Sequence, residues 1–234
     1  QDTWPTPPST VTCFEAEGGA VVWTYTFGPE VLAVPDQGTY LTQDDEGAYL
    51  FLVAGGQTMI LDKATGTFLA VVPFAVGRGN YLGGQGIYTL RDDGIWRIDT
   101  GTGAVARVLA AATPGASRRV GGEVQFLTVD GMKLYRGRFD PATEAVAFSP
   151  LLGNEGDDGR TTYRLLSADR TGQLLVEGLC PTDNGWRKTL RRYGADGRPG
   201  RVIALDGTSA YTYTVAPVLD EAGRNSIIVS GKPA

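Results

Sequence analysis

Acidic side chains are the residues of this sequence that could do chemistry, because histidine is absent and only two cysteines occur. The missing histidine excludes Ser-His-Asp and Cys-His catalysis and every histidine-based metal site. Carboxylates gather in short runs at predicted turns, where their oxygens could bind Ca²⁺. The runs are Asp44-Asp45-Glu46, Asp92-Asp93, Asp157-Asp158 and Asp220-Glu221. None has the Asp-X-Asp-X-Asp-Gly spacing of a calcium loop, so turn capping is favoured and no metal or other cofactor is predicted.

Tyrosines in or near one set of predicted strands are the candidate binding residues. A tyrosine ring at a channel mouth could stack on a sugar or a peptide, although such rings more often pack in a core. The five are Tyr40, Tyr81, Tyr163, Tyr211 and Tyr213. The same strands contain no carboxylate, which argues against a glycosidase, since that enzyme needs two acids across a cleft. No catalytic residue is therefore predicted, and a carboxylate-based hydrolase is the alternative.

Five hairpin-like segments recur along the chain, each a strand, a tight turn and a second strand. They cover residues 11–27, 58–74, 95–112, 132–150 and 186–205. The chain has 33 glycines and 13 prolines, which fits many short strands joined by turns. A repeat of this length is typical of a propeller or a solenoid.

The fold class predicted from this repeat is all-β, a five-bladed β-propeller of four-stranded antiparallel blades. Four blades are predicted within residues 38–74, 77–111, 119–150 and 162–205. In the last of these, strands are predicted at 162–168 and 173–180, followed by a longer loop at 181–185. Strands at 10–15 and 20–27 would share the fifth blade with strands at 210–217 and 226–230, closing the ring and removing unpaired edges. The alternative is a β-sandwich or an open meander of about 20 strands.

Three of the hairpins resemble a known repeat. Leu61-Asp62-Lys63-Ala64-Thr65-Gly66, Ile98-Asp99-Thr100-Gly101-Thr102-Gly103 and the segment from Cys13 to Trp23 are similar to the Leu-Asp-Ala-X-Thr-Gly-X-X-X-Trp hairpin of pyrroloquinoline-quinone-like propeller repeats. Quinone-dependent members have eight blades, tryptophan docking motifs and a calcium-linked carboxylate, and this chain lacks that constellation. The resemblance therefore implies the non-enzymatic members, which act as cell-envelope scaffolds. One of them is a lipoprotein, but the start of this chain has no lipid-accepting cysteine.

The start of the chain and its charge complete the prediction. Residues 1–9 form a Pro-rich lead-in typical of a mature N-terminus after signal cleavage, followed by one propeller domain over 10–234. This favours an exported protein of the periplasm, cell envelope or extracellular space, in which Cys13 and Cys180 would form a disulfide unless they serve as small buried hydrophobes.

The net charge is −5 and the basic residues are scattered, which argues against a nucleic-acid partner. No transmembrane segment is predicted. We expect a binding or scaffold module for a protein or glycan partner.

Overall fold

The computed structural model describes residues 10–27, 40–77, 79–111, 117–130, 133–152, 161–207, 213–219 and 225–231. Within these ranges the protein is built from β-strands and turns, as the sequence predicts. The first ten strands are β1 (Thr10–Phe14), β2 (Val21–Thr26), β3 (Tyr40–Gln43), β4 (Tyr49–Ala54), β5 (Gln57–Asp62), β6 (Phe68–Val72), β7 (Asn80–Gly83), β8 (Gly86–Arg91), β9 (Gly94–Ile98) and β10 (Val105–Leu109). The second ten are β11 (Arg118–Val120), β12 (Glu123–Asp130), β13 (Lys133–Phe139), β14 (Val146–Pro150), β15 (Thr162–Ala168), β16 (Leu174–Thr182), β17 (Gly185–Tyr193), β18 (Pro199–Gly207), β19 (Tyr213–Leu219) and β20 (Asn225–Gly231). None of the described residues lies in a helix able to cross a membrane.

The strands form antiparallel meanders. Four-stranded sheets run β3–β4–β5–β6, β7–β8–β9–β10, β11–β12–β13–β14 and β15–β16–β17–β18. The chain divides into two compact units, residues 1–89 with 96–106 and residues 90–95 with 107–234. The predicted four-stranded antiparallel sheets are confirmed, and the number of five blades stays a prediction.

The hairpins nearest the two ends of the chain each form a two-stranded sheet, β1 with β2 and β19 with β20. The prediction that these strands share one closing blade is therefore wrong for the described residues. Side chains anchor the first hairpin instead. The indole Nε1 of Trp23 donates a hydrogen bond to the carbonyl oxygen of Lys63 at 2.9 Å, and the Tyr25 ring stacks on Phe68 with 6.2 Å between centroids. These contacts attach the hairpin to the β3–β6 sheet, while its backbone pairing stays between β1 and β2.

One turn conformation recurs at four hairpins. The residue that closes the turn has a left-handed backbone, with φ of 66° at Gly19, 69° at Gly66, 72° at Gly103 and 60° at Glu144. Its amide donates to the carbonyl oxygen four residues earlier, at 2.8–3.0 Å in all four turns. Glycine suits this position because it has no Cβ to clash with the carbonyl that follows. The sequence repeat is thus a repeat of one backbone conformation, including the fourth hairpin, where glutamate replaces glycine.

Each compact unit has its own apolar core. Phe51, Ile60 and Ile87 are fully buried in the first unit, and Leu127 and Leu174 are fully buried in the second. Burying one such side chain stabilises the folded state by about 1.5–3 kcal/mol. Apolar packing within the units therefore holds the sheets that carry the turns.

A buried arginine fixes the turn that joins β17 to β18. Arg136 on β13 is 5% exposed. Its Nη1 and Nη2 donate to the carbonyl oxygens of Ala195 and Gly194, both at 2.7 Å. Because a buried guanidinium needs acceptors, this fork ties the turn to the neighbouring β11–β14 sheet.

The two cysteines are free thiols, so the predicted disulfide is not formed. Cys13 lies on β1, opposite Trp23 on β2. Cys180 lies on β16, opposite Arg187 on β17, and its Sγ donates to the carbonyl oxygen of Pro181 at 3.4 Å. Because β1 and β16 belong to separate sheets, backbone pairing does not bring the two thiols together.

Candidate interaction site

The structure places the candidate tyrosines in packed surroundings. The hydroxyl of Tyr40 donates to the carbonyl oxygen of Val76 at 2.6 Å, and Tyr81 is 4% exposed. Tyr163 packs against the core of the second unit, and its ring lies over Gly178, its partner on β16. Tyr211 lies outside the described residues, as does the side chain of Tyr213 on β19. The described rings contribute to packing, so their predicted role in binding stays a prediction.

In two acidic turns, the aspartate accepts hydrogen bonds from backbone amides and so caps the turn. Asp44 is 1% exposed, and its carboxylate accepts from the amides of Glu46, Ala48 and Tyr49 at 3.1, 3.3 and 2.6 Å. Asp169 is 2% exposed and accepts from the amides of Thr171 and Gln173, both at 2.9 Å. These bonds satisfy amides that reverse the chain. Across the described residues, no group of three His, Cys, Asp or Glu side chains is placed to hold a metal ion.

Three aspartates open the repeated turns and accept hydrogen bonds from threonine. The hydroxyls of Thr65, Thr102 and Thr143 donate to Asp62, Asp99 and Asp140 at 2.9, 2.9 and 2.7 Å. For Asp62 the backbone amide of Thr65, followed by its hydroxyl, lowers the carboxyl pKa. For Asp99 and Asp140 the threonine hydroxyl is the largest cause of a lowered pKa. These carboxylates are held as turn acceptors.

The β16–β17 hairpin is longer than the sequence predicts. A loop is expected at 181–185, but Pro181 pairs with Trp186 and Thr182 pairs with Gly185, leaving a two-residue turn at Asp183-Asn184. Among the described residues, the pairing of β15 with β16 extends as far as Leu179, and proline is tolerated in a strand where its missing N–H faces no partner strand. Both strands are nine residues long as a result.

Strand β18 is the outer strand of this sheet, meaning the last of its four strands in chain order. It is more exposed than the outer strands of the other four-stranded sheets. Among the described strands, it pairs with β17 on one side and ends the strand order on the other. It is nine residues long, and its first six residues are all exposed. The other outer strands, β6, β10 and β14, have five residues each with buried or half-buried positions. Residues 202–205 are an uncharged apolar run between Arg201 and Asp206, so the centre of this edge has no charge to discourage pairing.

Positive charge concentrates on the same hairpin. Residues 185–207 contain six basic side chains and two acidic ones, a local charge of +4 in a chain of net charge −5. The basic residues are Arg187, Lys188, Arg191, Arg192, Arg198 and Arg201. Arg187 pairs with Asp206 at 2.8 Å, Arg198 with Asp196 at 3.6 Å, and Lys188 with Glu177 of the neighbouring strand at 3.3 Å. The expectation that the basic residues are scattered therefore does not hold for this hairpin.

A cleft of about 420 Å³ lies where β18 ends. Its lining residues are Thr182, Asp183, Asn184, Trp186, Arg187, Asp206 and Gly207. Trp186 is half-buried at this cleft. An exposed strand edge, a basic hairpin and a cleft therefore meet on one sheet, which can bind a chain through its backbone and side chains together.

A buried carboxylate lies within the same sheet. Glu177 on β16 faces two cations across the strands, Arg164 Nη2 at 3.3 Å and Lys188 Nζ at 3.3 Å. Its side chain is 8% exposed. Paired buried charges of this kind commonly have a structural role.

Comparison of the sequence with protein-family models and with curated proteins finds no match. Solved structures do resemble it. The WD40 domain of SCAP from fission yeast covers 91% of this chain at 9% identity, with a TM-score of 0.54. The dihydro-heme d1 dehydrogenase NirN in complex with DHE covers 86% at 18% identity, with a TM-score of 0.45. The extracellular domain of the putative one component system BT4673 from B. thetaiotaomicron covers 90% at 14% identity, with a TM-score of 0.48.

These likenesses concern the fold. The chain spans 55% of the SCAP chain, 43% of the NirN chain and 30% of the BT4673 chain. At these identities function does not transfer, because one fold hosts many activities. WD40 repeats build propellers from four-stranded antiparallel blades, the type of sheet seen here. The similarity to SCAP and the sheet topology together identify the fold as that of the β-propellers.

Proposed function

We propose that this protein is an exported, non-enzymatic binding or scaffold module that presents rigid turns and strand edges to a protein or glycan partner. The observation that carries the proposal is strand β18, nine residues long and exposed over its first six. Propellers commonly offer binding surfaces on a rigid frame of sheets. Between the two partner classes, an unpaired backbone edge favours a protein, because only another polypeptide can continue the strand pairing.

The structural roles of the buried aspartates support a non-enzymatic function. Asp44 and Asp169 are used as buried turn caps. The first strands of the sheets, β3, β7, β11 and β15, contain no carboxylate, and neither does β19. Resemblance of the hairpins to quinone-type repeats of envelope scaffolds supports export and a place in the cell envelope.

A carboxylate-based hydrolase is the alternative. Glu177 is the residue to test for it, because it is a buried acid outside the turns, with a lysine 3.3 Å away. Hydrolysis of a glycoside by the wild type that disappears in Glu177→Gln, with an unchanged fold by circular dichroism, would contradict the non-enzymatic proposal.

The binding role can be tested with a photo-crosslinking residue placed at Val202 on β18. Val71 on β6 is the matched control, since the two side chains are 41% and 42% exposed and both lie on outer strands. We expect a discrete crosslinked partner at Val202 and none at Val71. The partner should then be purified and shown to bind with a defined stoichiometry. Equal crosslinking at both positions, or at neither, would overturn the proposal.

A further inference from the structure

We infer that the β18 edge binds an extended, acidic segment of a partner protein, which adds as a fifth strand to the β15–β18 sheet. The inference rests on the proposed function and specifies the chemistry of its partner. It joins two independent observations, the open strand edge and the positive charge of the hairpin that carries it.

The edge has the geometry that strand addition needs. From Val202 to Gly207 the strand pairs regularly with residues 186–191, and the register shift lies earlier, between Arg191 and Tyr193. Six regular residues offer about 20 Å of backbone donors and acceptors. Val202 and Ile203 point to opposite faces because neighbouring strand residues alternate, and both are exposed, at 41% and 38%. An added strand could therefore make apolar contacts on both faces of the sheet.

The charge of the hairpin selects the partner. Arg201 is an exposed residue of β18 itself, and Arg191 lies directly across from Val202 on β17. Opposite charges on neighbouring strands attract, whereas like charges destabilise the pairing. With a local charge of +4 over residues 185–207, the hairpin attracts acidic side chains and repels basic ones. A second copy of this hairpin would be repelled for the same reason, which favours a different chain as the occupant.

The test uses labelled eight-residue peptides and fluorescence anisotropy with the full chain at low salt. The first peptide alternates glutamate with valine and threonine, and the second replaces every glutamate with lysine. The third keeps glutamate but has N-methyl groups on alternate residues, which remove the backbone donors of one edge. We expect the first peptide to bind at least about tenfold more tightly than the other two. We also expect its binding to weaken as salt is raised, because screening shortens the reach of the charges.

A charge reversal on the protein separates the edge from general attraction. Arg201→Glu should weaken binding of the acidic peptide by about threefold to tenfold. The matched control is Arg107→Glu on outer strand β10, whose side chain is 45% exposed. It makes the same change of net charge on another sheet and should leave the affinity within about twofold of the wild type.

Several outcomes would overturn the inference. Equal binding of the acidic and lysine peptides would remove the charge selection, and undiminished binding of the N-methylated peptide would remove strand addition. Competition by a neutral oligosaccharide, or a concentration-dependent dimer blocked by Arg201→Glu, would assign the edge to another occupant. In each case a specific crosslink at Val202 would still support the binding role, so the two proposals can fail separately.

Discussion

Substitution of Gly66 tests the docking of the first hairpin on the β3–β6 sheet. Gly66 has a φ of +69°, which alanine adopts at a cost of about 1–2 kcal/mol. A Cβ at this position would lie 2.5 Å from Cδ2 and 2.8 Å from Cγ of Trp23. Carbon atoms normally meet at about 3.5–4.0 Å, so the indole must move by about 1 Å. Overpacking of this kind costs about 1–3 kcal/mol.

The expected loss for Gly66→Ala is therefore about 2–5 kcal/mol in the free energy of unfolding. Gly19→Ala is the matched control. Gly19 occupies the same place in the first turn, with a φ of +66° and nothing within 4 Å of its Cβ position. It should lose only the backbone cost of about 1–2 kcal/mol. Urea unfolding followed by far-UV circular dichroism measures both losses.

A double-mutant cycle isolates the contact. In a Trp23→Ala background the overlap is gone, so Gly66→Ala should cost no more than Gly19→Ala does. The coupling between Trp23 and Gly66 should then be about 1–3 kcal/mol. If Gly66→Ala is no more destabilising than Gly19→Ala in the wild-type background, the docking of Trp23 on this turn is refuted.

Two further predictions concern the repeated turns. Glu144 holds a left-handed backbone with φ of 60°, so Glu144→Gly should raise the free energy of unfolding by about 0.5–1 kcal/mol, and a lower urea midpoint would contradict this. Hydrogen bonds lower the pKa values of Asp62, Asp99 and Asp140 in the folded state, so their stabilisation is complete above the ordinary aspartate pKa of about 3.9 and is lost as the pH falls through the lower folded values. Thr65→Val, Thr102→Val and Thr143→Val combined should flatten the fall in the urea midpoint between about pH 5 and 2.5, and an unchanged pH dependence would contradict the role of these bonds.

Local patterns predicted the strands well because each depends on a few neighbouring residues. The strand predicted at 162–168 is β15, Thr162–Ala168, and the turn after Ile98 closes at Gly103 as glycine spacing indicates. Prediction failed at 181–185 because proline reads as a loop residue. Its place in a strand depends on pairing with Trp186 in the β16–β17 hairpin, which the residues near 181 do not reveal.

The candidate site was less accessible to sequence reasoning. In the sequence, Tyr40 and Tyr81 are compatible both with a core position and with a binding face. Only the packing in the structure distinguishes the two roles. The charge of residues 185–207 could have been found by summing charges over a hairpin rather than over adjacent residues. The exposure of β18 could not, because its apolar run reads like that of a buried strand.

By itself the sequence determined the all-β class, the meander of four-stranded sheets and the recurring turns, since Asp-X-X-Gly spacing and apolar runs act over a few residues. Tertiary structure alone decided the pairing of the terminal hairpins, the free thiols of Cys13 and Cys180, and the packing of Trp23 against Gly66. Each of these joins residues far apart in the chain, so it depends on which sheets the backbone pairing builds. The accessible edge of β18 is decided in the same way, because a strand becomes an edge only when no other strand of its sheet pairs beyond it.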